Sequence, residues 1–94
     1  MKSIVQDLDN PKCFVCGKTV GLELHHMMHG VANRRLATRY GLVCWLCKTH
    51  HTGQYGVHSG NTNVDRELQR VAQTRFEEIH GHAKWMEVFK KNYL

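Results

Sequence analysis

Glu23-Leu24-His25-His26 lies between two clusters of sulfur and imidazole ligands. Upstream is Cys13-Phe14-Val15-Cys16, followed by Gly17-Lys18. Downstream is Cys47-Lys48-Thr49-His50-His51, with His58 seven positions further on. A structural zinc takes four ligands, so the supply exceeds what one such ion needs. The excess is all imidazole. Neutral imidazole serves both as a metal ligand and as a proton acceptor near neutral pH, so the pattern points to chemistry as well as structure.

Cys13-x-x-Cys16 before Gly-Lys has the form of a zinc knuckle, in which a tight turn aims two thiolates at one ion. A redox reading would need a βαβ context, and none is visible. Two registers are open for the second half-site. Cys44 with Cys47 would give a four-cysteine site, and Cys47 with His50 a three-cysteine, one-histidine site. Cys44 sits inside the apolar run Leu42-Val43-Cys44-Trp45-Leu46, where a free thiol behaves as a small buried hydrophobe. Residues 44 and 47 also face opposite sides of a strand until a turn intervenes. Geometry therefore favours zinc at Cys13, Cys16, Cys47 and His50, with Cys44 in the core.

His25 and His26 are consecutive at an expected strand end, so their side chains diverge and do not suit one ion. One of the pair is able to hold a metal while its neighbour acts as a base. His51 and His58 are available to complete a three-imidazole set, which leaves positions open for a phosphate oxygen and water. The bland alternative is a scatter of surface histidines. His29, His80 and His82 lack ligand spacing and are given no role.

These residues need elements to hold them. Ninety-four residues make one small domain (1–94), for which a metal supplements a thin core. Residues 1–11 are polar and read as a loose lead-in. Residues 13–58 carry the knuckle and the histidines, and 63–94 read as C-terminal helices. Val20 to His26 alternates and predicts a strand, with Leu42 to Leu46 as its antiparallel partner. Between them, Val31 to Tyr40 predicts a short basic helix stopped by Gly41. Thr52 to Thr62 has the composition of a loop. The longest helix is predicted from about Val64 to Ile79, burying Val64, Leu68, Val71, Ala72, Phe76 and Ile79 between an Asn63 cap and Gly81. A last helix from about Ala83 to Lys90 buries Trp85, Met86 and Phe89. The fold class is α+β.

A net charge of +5 favours a polyanionic partner. Arg34, Arg35 and Arg39 fall on the segment between the two strands, where they would grip flanking phosphates; the alternative is an ordinary solvated face. Arg66, Arg70 and Arg75 read as surface charges balanced by nearby acids. The first residues show no apolar run of signal-peptide length, and no segment approaches a membrane span. The cysteines are accordingly read in a reducing, cytoplasmic compartment, where metal binding prevails over disulfides.

Glu-Leu-His-His after Cys-x-x-Cys, followed by Cys-x-x-His-His, resembles the HNH (ββα-metal, or His-Me finger) endonucleases. It is especially similar to small phage-encoded members that read Leu-Cys-x-x-His-His, a Gly-rich loop and then Val-His. The Glu-Leu-His-His string also resembles the nuclease domains of DNase colicins. The likeness covers roughly residues 13–58, and Lys91-Asn92-Tyr93-Leu94 matches the phage group as well.

The resemblance implies a zinc-stapled ββα-metal finger, here with additional C-terminal helices. It implies a catalytic divalent cation (Mg2+, Mn2+, Ni2+ or Zn2+) held by His25, His51 and His58, beside a structural Zn2+. His26 matches the general base, and Glu23 an acidic residue that orients an arginine near the scissile phosphate. The place of His51 directly after the half-site supports the Cys47–His50 register. Two positions depart from the pattern. The family's last ligand falls about one helical turn after the previous one, whereas His58 follows His51 by seven, across Gly53-Gln54-Tyr55-Gly56. The family's central asparagine belongs just before the second strand, which here reads Tyr40-Gly41-Leu42; Asn33, the nearest asparagine, is displaced.

The activity implied is metal-dependent nicking or cleavage of DNA, in the cytoplasm of a bacterial host if the chain is phage-derived. The alternative is a zinc-stabilised nucleic-acid-binding module without turnover. A homodimer or a second phage protein as partner is left open, and no membrane partner is expected.

Overall fold

Two strands, β1 (Leu22–His26) and β2 (Val43–Cys47), run antiparallel, with Leu22 opposite Cys47 and His26 opposite Val43. The computed structural model describes residues 2–53 and 62–94. Along the chain, α1 (Val31–Tyr40) separates the strands and α2 (Lys48–His51) follows the second. Two further helices, α3 (Thr62–His80) and α4 (His82–Phe89), complete an α+β architecture. No helix of the described residues is long and apolar enough to cross a membrane.

The strands match the sequence expectation with shifted ends. β1 starts two residues later than its alternation suggests, because Gly21 takes a left-handed φ of 66° and Val20 stays exposed. The helix between the strands has the expected bounds. Gly41 ends it in the left-handed region, at φ 73°, returning its N–H to helix carbonyls. A Cβ at this position would lie 3.0 Å from the Lys2 carbonyl oxygen and 3.2 Å from the Ile4 nitrogen. Conformation and space both require glycine here.

That close approach reflects a correction to the lead-in. Residues 2–11 contain no helix or strand, yet they are not loose. Ile4 N–H donates to the Gly41 carbonyl, and the Ser3 hydroxyl donates to the Val43 carbonyl. Trp45 donates its backbone N–H to Gln6 Oε1 and its indole N–H to the Leu8 carbonyl. The segment therefore lies along the outer edge of β2, and Val5 is buried beneath it.

One core joins the sheet to the C-terminal helices. Met27, Met28, Leu42, Cys44 and Leu46 belong to the same buried cluster as Leu68, Ala72, Phe76, Trp85 and Phe89. Its aromatic centre packs edge to face, with Phe76 and Trp85 ring centroids 5.3 Å apart. The apolar stripe of α3 is as expected except at its end: Ile79 is exposed, and Gln73 is fully buried. Gln73 is tolerated because its amide is satisfied. It donates to Asn92 Oδ1 at 2.8 Å and Glu77 Oε2 at 2.6 Å, and its oxygen accepts the Tyr93 N–H.

Candidate metal centre and histidine cavity

Cys47 closes β2 and stands at the N-terminal end of α2, so its thiol is one helical turn from His50. Residues three apart on a helix share a face, which brings Cys47 Sγ and His50 Nδ1 to 3.3 Å. The other half-site is a tight loop. Cys13 N–H donates to the Lys18 carbonyl, and Gly17, at φ 80°, donates to the Cys13 carbonyl. Phe14 N–H donates to the Trp45 carbonyl and fixes this loop to β2.

The two halves meet. Cys16 and Cys47 sulfurs are 3.7 Å apart, and Cys13 Sγ is 3.9 Å from His50 Nδ1. Zinc–sulfur bonds of about 2.3 Å and zinc–nitrogen bonds of about 2.0 Å in a tetrahedron give edges of about 3.5–3.8 Å. Donor atoms of Cys13, Cys16, Cys47 and His50 all lie within 4.8 Å of one another, close enough to hold a metal such as zinc. Cys44 is outside this group, fully buried in the core.

The thiols differ in their environments. At Cys13, burial opposes ionisation, but N–H groups of Cys47, Cys16 and Val15 and the Cys16 thiol outweigh it, bringing the pKa to about 6. At Cys16 the Lys18 N–H favours the thiolate. Burial, together with the Cys13 and Cys47 sulfurs, prevails and raises its pKa. Burial, then the nearby Cys13, pushes the Cys44 thiol up to about 12. Cys44 is therefore a neutral, inert thiol, as a core residue should be.

On β1 the adjacent histidines diverge. His25 is buried, and its ring centroid lies 5.3 Å from that of His51. His51 follows His50 on α2, so its side chain leaves the zinc cluster and turns toward β1. There Glu23 Oε1 approaches His51 Nδ1 at 3.2 Å. Among the described residues no arginine pairs with Glu23, so its carboxylate orients an imidazole where the resemblance implied an arginine.

His26, half-buried, turns to α1, where its Nε2 lies 3.0 Å from the Thr38 hydroxyl. Burial, then the positive charge of Arg34, holds its pKa below the ordinary histidine value. The ring is consequently neutral at neutral pH and fit to accept a proton. His25, His26, Arg34 and His51 all line one cavity of about 400 Å³. Arg35 and Arg39 are exposed on the same helix, with the Arg39 guanidinium 5.7 Å from the Tyr40 ring centre. His58 lies outside the described residues.

His29, given no role from its spacing, belongs to this cavity. Its ring is 5.9 Å from His25, and its Nε2 meets Asp65 Oδ1 of α3 at 2.5 Å. Asp65 is far along the chain, so no local motif signals the pair. His80 packs against Phe76 and Tyr40, and His82 pairs with Glu77, both away from the cavity.

Among the described residues, only the three-cysteine, one-histidine group brings three or more metal-ligating donor atoms within 4.8 Å. His25 and His51 present two imidazoles to the cavity. No protein-family profile, curated protein or solved structure matches this chain.

Proposed function

We propose that the protein is a metal-dependent DNA endonuclease of the HNH type, hydrolysing phosphodiester bonds at the histidine cavity. The observation that carries this reading is the division of the adjacent imidazoles. His25 faces His51 at 5.3 Å, while His26 lines the same cavity beside Arg34 and meets Thr38 of α1. This is the arrangement that a pair of metal ligands and a separate base would need.

In this reading His25 and His51 would hold a divalent cation, with His58 as the remaining ligand implied by the resemblance. A cation bound there supplies positive charge to the phosphate oxygens and to the departing 3′ oxygen. His26 accepts a proton from water as the water oxygen attacks phosphorus in line. The bond from phosphorus to the 3′ oxygen breaks, solvent protonates that oxygen, and 5′-phosphate and 3′-hydroxyl ends result. Arg34 stands where a phosphate would approach His26, and Arg35 and Arg39 extend the basic face along α1. The Cys13, Cys16, Cys47 and His50 centre holds zinc and fixes α2, which carries His51. A phage origin and a host-cytoplasm location follow from the same resemblance.

Nicking of supercoiled plasmid with added magnesium, manganese or nickel tests the proposal. The expected result is cation-dependent nicking that His26→Ala abolishes while metal content is retained. Undiminished cleavage by that variant would remove His26 from the mechanism. Absence of nicking under every cation, with zinc bound, would favour the non-catalytic nucleic-acid-binding module.

A further inference from the structure

We propose that Thr38 is a positioning residue for His26, fixing its proton on Nε2 and leaving the lone pair on Nδ1. The reason is hydrogen-bond polarity. The Thr38 hydroxyl lies 3.0 Å from His26 Nε2 and 3.1 Å from the carbonyl oxygen of Arg34. A carbonyl only accepts, so both contacts are hydrogen bonds only when the single hydroxyl proton of Thr38 goes to Arg34. What remains to Thr38 is a lone pair, and the only partner that completes the second bond is an Nε2–H. The imidazole is thereby held in one tautomer, with Nδ1 as its proton acceptor.

The device is rigid because both ends are anchored. Arg34 and Thr38 are one turn apart on α1, the usual geometry for a threonine bonding back to the preceding turn. His26 sits on β1 opposite Val43, at the end of the paired register. The hydrogen bond joins helix to strand beside the cavity and leaves His26 no need of a carboxylate partner. The role of Nδ1 as base rests on the nuclease reading, whereas the tautomer does not.

The test uses the whole chain, zinc-loaded, in three forms: wild type, Thr38→Val and Thr38→Ser. Valine matches threonine in shape and lacks the hydroxyl; serine retains it. Imidazole nitrogen–proton correlation spectra are recorded at alkaline pH, where the ring is neutral. In wild type, a His26 Nε2–H signal protected from solvent exchange is expected. Its protection should be lost in Thr38→Val, with a fraction of Nδ1–H tautomer appearing, and return in Thr38→Ser.

In the nicking assay, Thr38→Val should lower kcat by about 10- to 100-fold, a share of the roughly 10²–10⁴ typical of general-base catalysis, with KM unchanged. Thr38→Ser should restore it. A His26 protonated on Nδ1 in wild type, or a protected Nε2–H unchanged in Thr38→Val, overturns the proposal. The expected spectra with no nicking by wild type would support the tautomer and overturn the nuclease reading instead.

Discussion

Glu23 and His51, from β1 and α2, meet carboxylate to imidazole, with Oε1 3.2 Å from Nδ1. A carboxylate on one ring nitrogen fixes the tautomer and orientation of the ring, and in the proposed function Nε2 is the atom that would meet the cation. Loss of a partner of this kind commonly costs about 10- to 100-fold in metal affinity.

Glu23→Ala is accordingly expected to weaken binding of a second cation by about 10- to 100-fold while zinc content stays the same. Titration calorimetry with manganese or nickel on the zinc-loaded protein measures this. An unaltered affinity would mean that His51 does not ligate through the nitrogen assigned to it.

The two cysteines of the second half-site should separate cleanly. Cys44→Ala keeps full zinc content and costs about 1 kcal/mol, as removal of a small buried group does. Cys47→Ala should lose the metal and, with it, α2. Zinc contributes about 10–16 kcal/mol to the folding of small zinc domains, against a typical total stability of about 5–15 kcal/mol. Metal analysis and thermal melts of the two variants check this; loss of zinc from Cys44→Ala would reverse the register.

If the proposed DNA contacts run through α1, binding should depend steeply on salt. Replacing Arg34, Arg35 or Arg39 by alanine should reduce the log–log salt slope by about 0.9 for every phosphate the arginine neutralises. Arg75 is the internal control, since it pairs with Glu78 on α3 at 3.2 Å. Equal effects of Arg34→Ala and Arg75→Ala would dissolve the idea of a dedicated phosphate face.

The acid limb of stability should reflect Glu77. The Gln73 amide, then His82, lowers the pKa of its carboxyl below the ordinary 4.5. The folded value is below the unfolded one, so the contribution is complete above the ordinary carboxylate range. It is lost as pH falls through the lowered folded value. Glu77→Gln should flatten the stability profile in that window by lowering stability at neutral pH while leaving the acid end below the window unchanged, as read from denaturant midpoints. A profile identical to wild type would show that Glu77 is not coupled to folding.

Most elements could be read from sequence because their signals are local. α1 is bounded by glycines, α3 and α4 by apolar periodicity, and Cys47–His50 by a single helical turn. The remainder depended on contacts between distant positions. Thr38 reaches His26 across 12 positions, His29 reaches Asp65 across 36, and Trp45 reaches Gln6 across 39. No periodicity encodes such meetings; they arise only once the helices are placed against the sheet. Ile79 failed for a related reason, because a stripe shows which face is apolar and not where the core stops. His58 is outside the described residues.

The lead-in strap along β2 bears on self-association. Val43 and Trp45 direct backbone groups away from β1, and those groups are taken by Ser3, Gln6 and Phe14. An unpaired strand edge is a template for a neighbouring chain, and this one is already covered. Clipping the first six residues would bare the Val43 carbonyl and the Trp45 N–H, turning part of a sealed flank into a seed for intermolecular β-stacking. Any pairing of two copies strand to strand must therefore use an edge other than the outer edge of β2.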